Sequence, residues 1–303
     1  MKVYVRKGND EVETTREVLK KANPKIGKSV LIKPNLTMPF SPETAICTSP
    51  NVVEGVIRYL QSIGINDIII GEGAGGAKDM SNIFEATGYR KLADRYNLPL
   101  INLNGDKQVR LNIINGISLE GITVAKNVVD RYVINVPKMK THRMAGVSLA
   151  MKNMIGCILP YDGKKILHPL YEEYVAKALK EKRNLTKEEF DAVQEEFFKR
   201  LTDFHSVCKP SLNVVDGFVA REGDGLNPNC GRNRKMNCVL VSESVPAIDF
   251  VASNLMGISL RDLYLEYVRG FDLSKIEIIS DIDLDKLRKK FKPISLTERI
   301  IVY

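Results

Sequence analysis

The sequence predicts an α/β fold in which a mostly parallel sheet is flanked by helices. Short β-branched runs alternate along the chain with amphipathic stretches that have helical spacing. Several of these runs end directly in lysine, asparagine or glycine, and α/β sheets bind ligands beyond the carboxyl ends of their strands. The 303 residues are enough for one large domain or two small ones. A functional site is therefore expected where the strands end.

The first half of the chain carries predicted strands at Val3–Val5, Ser29–Ile32, Asp67–Ile70 and Leu98–Leu103. Apolar residues at helical spacing predict helices at Val12–Ala22, from Ser49 to Gly64 and at Ser81–Tyr96. Ser49 followed by Pro50 is typical of a helix start, and Gly64 is typical of a helix end. Asp106–Asn127 alternates polar and apolar residues, which indicates an antiparallel excursion from the sheet.

The second half begins with the apolar run Val128–Val136, which predicts a return to the main sheet. After Pro137 we expect a basic loop at Lys138–His142, and Gly146–Asn153 has the composition of a helix. An inserted helical hairpin is predicted within residues 171–205, with helices at Tyr171–Lys182 and Lys187–His205 and a capping box of Thr186 and Glu189. The remaining predicted elements are a helix at Ala247–Met256 and strands at Leu212–Val215, Cys238–Ser242, Ile276–Ser280 and Ile300–Val302.

The charge of the chain fits an anionic partner. Lysine and arginine total 45 against 37 acidic residues, a net charge of +8 without long basic runs. Small anions fit this excess, and so does nucleic acid, although 7% aromatic residues and no tryptophan disfavour base stacking.

The amino terminus lacks the apolar core of a signal peptide, and no apolar run approaches the roughly 20 residues that span a bilayer. We therefore expect a cytoplasmic protein without a membrane partner.

The five cysteines disfavour an iron–sulfur cluster. They lie far apart, at Cys47, Cys157, Cys208, Cys230 and Cys238. None forms the C-x-x-C pair of a zinc site or the tight run of a ferredoxin. Reduced thiols are expected, and a cluster assembled from distant cysteines remains open.

Four polar segments follow predicted strands and are expected to form one anion-binding site. They are Lys33 to Asn35, Gly71 to Gly76, Lys138 to His142, and Asp216 to Gly225. Glycine backbones can approach an anion closely, whereas the acidic residues of the last segment could bind a metal, a ribose or an amine. The candidate binding residues are Lys33, Asn35, Gly71, Gly73, Gly75, Gly76, Lys138, Lys140, Asn153, Asp216 and Glu222.

The candidate catalytic residues are His142, Lys152, His168 and Glu72. His142 stands on a basic segment and could act as a general acid or base. Lys152 lies among apolar residues that would lower its pKa and favour nucleophilic or Schiff-base chemistry, although it could also extend from an amphipathic helix to water. His168 is a second acid/base candidate or a metal ligand. Glu72 lies within the glycine-rich segment.

Several stretches together resemble the family catalogued as domain of unknown function 362. They are VLIKPNL at Val30–Leu36, TSPNVVEGVIRYL at Thr48–Leu60, IIIGEGAGG at Ile68–Gly76, FEATGYRKLA at Phe84–Ala93, NVPKMKTHRMAGVSLAMKNMIGCI at Asn135–Ile158, and VVDGFVAREGDGLNP at Val214–Pro228. The resemblance covers nearly the whole chain and implies a single family domain over residues 1–303. Some family members carry a ferredoxin-like cysteine run, which implies electron transfer with a redox partner protein as one alternative. This sequence lacks that run, which disfavours a bound iron–sulfur cluster.

A more distant resemblance is to nickel-pincer lactate racemase, in which two α/β lobes enclose the site. In that family an acid/base histidine precedes a lysine that holds the pincer nucleotide, and a later histidine binds nickel. His142, Lys152 and His168 stand here in the same order, while Ala150 and Met151 replace a glycine pair and Glu72 lies in the region where that family has another histidine. The resemblance implies lobes over residues 1–140 and 141–303 with a cleft between them.

These observations favour an enzyme that binds a small carboxylate or phosphorylated molecule and performs acid/base or redox chemistry, as a racemase, an isomerase or an oxidoreductase. A metal or a nucleotide-type cofactor is compatible with this function. Two alternatives stay open: an iron–sulfur-associated electron-transfer protein and a nucleic-acid-binding module.

Overall fold

The computed structural model describes residues 1–260 and 264–294. The strands in this range are β1 (Lys2–Lys7), β2 (Ser29–Pro34), β3 (Asp67–Glu72), β4 (Leu100–Asn102), β5 (Gln108–Asn112), β6 (Gly121–Ala125), β7 (Tyr132–Val136), β8 (Lys138–His142), β9 (Gly146–Ser148), β10 (Leu212–Gly223), β11 (Gly231–Ser242) and β12 (Glu277–Ser280). The strand predicted at Ile300–Val302 lies outside the described residues.

Ten of these strands form one sheet in the order β12-β1-β11-β10-β7-β2-β3-β4, with β8 pairing with β10 and β9. Six of the nine pairings that join the described strands of this sheet are parallel. The predicted mostly parallel α/β fold is thereby confirmed. β5 and β6 form a separate antiparallel pair, which confirms the excursion predicted at Asp106–Asn127.

Helices cover both faces of the sheet. They are α1 (Glu11–Ala22), α2 (Pro50–Ser62), α3 (Ser81–Ala86), α4 (Tyr89–Tyr96), α5 (Lys126–Asp130), α6 (Ala150–Asn153), α7 (Pro169–Lys180), α8 (Lys187–Val207), α9 (Val245–Leu255) and α10 (Leu284–Leu287). Successive strand residues point to opposite faces. Val30 and Ile32 of β2 accordingly pack in the apolar cluster that includes α1 and α2, while Leu31 packs in the cluster that includes α8 and α9.

The predicted helical hairpin is present as α7 and α8. Thr186 caps α8, because its hydroxyl accepts from the backbone N–H of Glu189 and the Glu189 carboxylate accepts from the backbone N–H of Thr186. Strands from both predicted lobes, residues 1–140 and 141–303, belong to the same sheet. The sheet therefore does not mark a boundary between lobes, and the division stays a prediction.

Two segments that were expected to be loops are strands. Lys138–His142 forms β8, since it pairs with β10 on one side and with β9 on the other. Asp216 to Gly223 continues β10, because β11 pairs with β10 as far as Gly223. The sequence suggested loops there because charged side chains are rarely buried, yet β8 buries both of its lysines.

Three predicted elements are each replaced by two shorter elements in the structure. The helix expected at Ser81–Tyr96 breaks before Gly88, whose φ of +77° is left-handed. The strand expected at Val128–Val136 begins only at Tyr132, because α5 is held by Asn127, which donates its backbone and side-chain N–H groups to Asp106. The helix expected at Gly146–Asn153 divides into β9 and the short helix α6.

No helix within residues 1–260 and 264–294 combines the length and the apolar composition that a membrane crossing requires.

Candidate functional site

A cavity of about 430 Å³ opens at the carboxyl ends of β2, β3 and β8. The segment from Asn35 to Met38 follows β2, the segment from Glu72 to Gly76 follows β3, and His142 ends β8. The fourth predicted segment, Asp216 to Gly225, does not line the cavity, although Leu226 just beyond it does. The strand ends thus meet as the parallel topology requires.

The predicted site residues fall into two groups. Those that line the cavity are Asn35, Glu72, Gly73, Gly75, Gly76, His142, Lys152, Asn153 and His168. Those that do not line it are Lys33, Gly71, Lys138, Lys140, Asp216 and Glu222. Members of the second group are buried in the protein, and all the charged ones have protein partners.

Lys33 and Glu72 form a buried ion pair at the cavity, in which Glu72 lines the wall and Lys33 does not. Lys33 Nζ lies 2.8 Å from Glu72 Oε1 and 2.9 Å from Oε2. The same carboxylate accepts the backbone N–H groups of Leu36 and Gly73 at 3.0 and 2.8 Å. A Cβ on Gly156 would come within 2.3 Å of Glu72 Oε1, so the pair is closely enclosed. Glu72 therefore holds together the segments that follow β2 and β3, both of which line the cavity.

Lys138 and Lys140 project from β8 into separate buried contacts. Lys138 Nζ lies 2.8 Å from Asp216 Oδ2. Lys140 Nζ donates to Asn35 Oδ1 at 2.8 Å and to the Ile46 carbonyl oxygen at 2.7 Å. Burial lowers the pKa of Lys140 to about 7. Both lysines therefore hold the loops around the cavity in place, and neither presents its ammonium to the cavity.

Glu222 lies outside the cavity at the end of β10. Its carboxylate pairs with Arg232 at 2.7 Å and accepts the backbone N–H of Lys292 at 3.1 Å. The arginine partners and the backbone N–H lower the pKa of Glu222, although burial opposes them. These contacts secure the hairpin of β10 and β11.

A chain of buried asparagine side chains fixes the floor of the site. Asn35 Nδ2 donates to Asn153 Oδ1 at 2.9 Å, and Asn153 Nδ2 donates to Asn135 Oδ1 at 2.8 Å. Asn135 Nδ2 in turn donates to Asn213 Oδ1 at 2.9 Å. Since buried amides are costly unless they are paired, this network defines one arrangement of β2, β7, β10 and α6.

Asp249 of α9 holds the amino terminus of α6. Its two carboxylate oxygens accept the backbone N–H groups of Ala150 at 2.7 Å and Met151 at 2.9 Å, and Oδ2 also accepts the Tyr264 hydroxyl at 2.5 Å. Burial raises the pKa of Asp249 to about 6, although the three hydrogen-bond donors act to lower it. The contact positions Lys152 and Asn153, which follow on the same helix.

Lys152 is a cavity lysine without a partner. Its ammonium makes no hydrogen bond or ion pair within residues 1–260 and 264–294. Desolvation lowers its pKa to about 8, so the ammonium form still predominates at pH 7. An unpaired cation in a partly apolar cavity is an electrostatic attractor for an anion.

Two histidines line the same cavity and are held by different contacts. His142 Nδ1 accepts the backbone N–H groups of Met144 at 3.2 Å and Ala145 at 3.1 Å, which places the proton of the neutral ring on Nε2. The ring of His168 stacks on Phe197, with centroids 4.6 Å apart. Burial, together with the charge of Lys152, lowers the pKa of His168 to about 3, so this ring is neutral at physiological pH.

The cavity also contains polar residues that sequence reasoning left out. Lys164 donates to Asn104 Oδ1 at 2.7 Å and to the Ile158 carbonyl oxygen at 2.8 Å, and burial lowers its pKa to about 8. Lys165, Ser148 and Thr37 also line the cavity. Thr37 Oγ1 is buried and finds no partner among the described residues. The pair Lys164–Lys165 shortly before His168 was the available signal.

Within the described ranges 1–260 and 264–294, no three histidine, cysteine, aspartate or glutamate side chains come together as metal ligands would. His168 is therefore not part of a cluster of three such side chains in these ranges. All five cysteines are free thiols; four of them are buried, and Cys230 is exposed.

Comparison with known proteins places these features in context. A thylakoid-associated protein of Synechocystis sp. is 27% identical over 233 residues, which cover 77% of this chain and 64% of that protein. The chain therefore spans less than two thirds of this curated relative. The lactate racemase apoprotein of Thermoanaerobacterium thermosaccharolyticum aligns with a TM-score of 0.44 and 13% identity over 70% of this chain and 50% of that chain. A protein of Thermotoga maritima aligns with a TM-score of 0.39 and 15% identity over 71% and 53%.

The family resemblance expected from the sequence is confirmed. The family model described as "Domain of unknown function (DUF362)" matches residues 30–254. This range contains the strand ends that line the cavity, together with Lys152 and both cavity histidines. The chain belongs to the DUF362 family.

Proposed function

We propose that this protein is a cytoplasmic enzyme that binds a small carboxylate or phosphorylated molecule in the cavity and transfers a proton to or from it. The observation that carries the proposal is that Lys152 lines the same cavity as His142 and His168 and that its ammonium is unpaired among residues 1–260 and 264–294. A racemase or isomerase reaction suits this set of groups, since an anchored anion and a neighbouring imidazole suffice for proton transfer.

The charges around the cavity favour an anion. Lys152, Lys164 and Lys165 line it, and its one acidic side chain, Glu72, is balanced by Lys33. Lys165 pairs with Glu172 at 3.3 Å, so Lys152 and Lys164 carry the positive charge of the cavity. The backbone at Gly73, Gly75 and Gly76 adds surface that an anion can approach closely. The cavity therefore combines positive potential with backbone that an anion can approach, and both favour an anionic ligand.

His142 is the proposed acid/base group. Because two backbone N–H groups hold Nδ1 as an acceptor, proton exchange takes place at Nε2. His168 is neutral and stacked, so it is suited to accept or donate a hydrogen bond rather than to carry charge. Lys152 would neutralise the charge of the bound substrate and orient it towards His142.

Substitution of Lys152 by methionine tests the proposal. We expect Lys152→Met to weaken the binding of methyl phosphate about 10- to 100-fold, because one charge-assisted contact is lost. Lys180→Met is the matched control, since it removes the same charge from the exposed surface of α7 and should leave the affinity unchanged. Both affinities are measured by isothermal titration calorimetry.

Loss of the Lys152 ammonium should not unfold the protein. Burial of an unpaired charge costs free energy of folding, and the substitution removes that cost. Equal affinity in the wild type and Lys152→Met, or no binding of methyl phosphate or acetate at millimolar concentration, would contradict the proposal.

The affinity for an anion is also expected to depend on pH. The pKa of Lys152 lies near 8, so its charge is present below that pH and is lost as the pH rises through it. We expect the association constant for sulfate, whose own charge is constant in this range, to be level below about pH 7 and to fall about tenfold per unit above about pH 8. Titrations from pH 6.5 to 9.5 check this. A level profile in the wild type, or the same fall in Lys152→Met, would show that another group controls binding.

A further inference from the structure

A second chamber adjoins the cavity just described. It has a volume of about 560 Å³, and it shares His142, Lys152, His168 and Leu226 with the first chamber. The proposed reactive groups therefore stand at the junction of two spaces and not at the end of one. A ligand in either chamber can therefore contact these shared side chains.

The two chambers differ in charge. In the first, Lys33 neutralises Glu72 and Glu172 pairs with Lys165, which leaves the positive charges of Lys152 and Lys164. The charged side chains of the second are balanced, because Arg143 and Lys152 face Asp224 and Glu172. Arg143 Nη2 also lies 3.3 Å from Asp224 Oδ2. An anionic group is accordingly attracted to the first chamber, whereas the second has no net preference for charge.

The walls of the second chamber carry rings and apolar side chains. Tyr171 of α7 and Phe190 of α8 lie on the hairpin side, and Met144, Leu226 and Pro228 complete the apolar lining. Rings and a thioether of this kind pack favourably against another aromatic ring. The helical hairpin, whose role the sequence left open, thus supplies two aromatic walls of the site.

The hairpin is held firmly enough to define the shape of the chamber. The Gln194 side chain of α8 donates to the backbone oxygen of Met144, which lies next to β8. Phe197 of α8 stacks on His168 at the junction. Phe190 itself is 2% exposed and is packed into place. These contacts give the second chamber preformed walls, as binding sites for small molecules commonly have.

We infer that the ligand is a two-part molecule, with an anionic group in the first chamber and an aromatic ring system in the second. The inference rests on the proposed anion site and adds the class of molecule that it takes. The bond between the two parts lies beside His142 and Lys152, so the atom that exchanges a proton is one that joins the ring system to the anion. Tyr171 and the hairpin then determine specificity.

Binding of methyl phosphate and phenyl phosphate tests the inference, because these ligands share the anion and differ in the ring. We expect the wild type to bind phenyl phosphate at least about tenfold more tightly than methyl phosphate. Tyr171→Ala should remove most of that advantage while the affinity for methyl phosphate stays unchanged. Tyr171→Phe, which keeps the ring, should retain the advantage. Calorimetric titration of the three proteins measures all six affinities.

The outcomes separate the inference from the proposed function. If both phosphates bind the wild type equally, the ring site is overturned and the anion site stands. The ring site is likewise overturned if Tyr171→Ala keeps the full advantage of phenyl phosphate or weakens both ligands alike. If neither phosphate binds and Lys152→Met has no effect on any anion tested, the proposed function itself fails.

Discussion

Glu72→Ala is expected to lower the free energy of unfolding by about 3–5 kcal/mol. The substitution leaves the fully buried ammonium of Lys33 with the Pro34 carbonyl oxygen at 3.1 Å as its remaining contact. It also removes the acceptor for the backbone N–H groups of Leu36 and Gly73. Urea denaturation followed by circular dichroism measures the change.

Asp67→Ala is the matched control, because Asp67 begins the strand β3 that Glu72 ends. Its ion pair with Arg131 is solvent-exposed, so its removal should lower the free energy of unfolding far less than the loss of Glu72 does. The double variant with Lys33→Met and Glu72→Ala should recover at least about 1 kcal/mol relative to Glu72→Ala, since no buried charge is then left alone. A similar loss for Asp67→Ala and Glu72→Ala would refute this account of the pair.

Asp249→Ala is expected to cost about 2–4 kcal/mol, because it leaves the backbone N–H groups of Ala150 and Met151 buried without an acceptor. The helix that carries Lys152 would lose its fixed start, so the affinity for sulfate should fall as well. Thermal denaturation and calorimetry on the same sample measure the two effects.

Tyr264→Phe distinguishes the contribution of the tyrosine hydroxyl from that of the two backbone contacts of Asp249. It removes one of the three donors to Asp249 and keeps the ring, so we expect a loss of about 1 kcal/mol and unchanged sulfate binding. If Asp249→Ala were no more costly than Tyr264→Phe, the capping of α6 would not be the important contact of Asp249.

The central strands and the class of fold could be predicted from the sequence alone. Val30, Leu31 and Ile32 are β-branched or apolar at every position, as a strand covered on both faces requires. The sequence was insufficient for β8, where Lys138 and Lys140 alternate with Met139. Burial of those lysines depends on Asp216 and Asn35, which lie far away in the chain. A pattern that is read locally does not contain such partners.

The same distinction applies to the site. The positions of His142, Lys152 and His168 suggested a shared site, and the three side chains line one cavity. Lys33 was expected to bind the anion, but its pairing with Glu72 turns it away from the cavity. Among these lysines, Lys152 is the one without a protein partner in the described ranges. The other lysines are paired with residues that lie far away in the chain, and this pairing decides which lysine stays available for a ligand. The spacing of residues along the sequence does not reveal that pairing.

The position of β1 in the sheet has a consequence for synthesis on the ribosome. β1 lies between β11 and β12, with Tyr4 opposite Val241 on one side and Ile279 on the other. At roughly 5–20 residues per second, a nascent chain carries this strand for on the order of ten seconds or more before both partners exist. The parallel strands β2, β3 and β7 can pair during that interval, but β1 must wait with Val3 and Val5 exposed. Val3 and Val5 therefore lack their strand partners until β11 and β12 have both been synthesised.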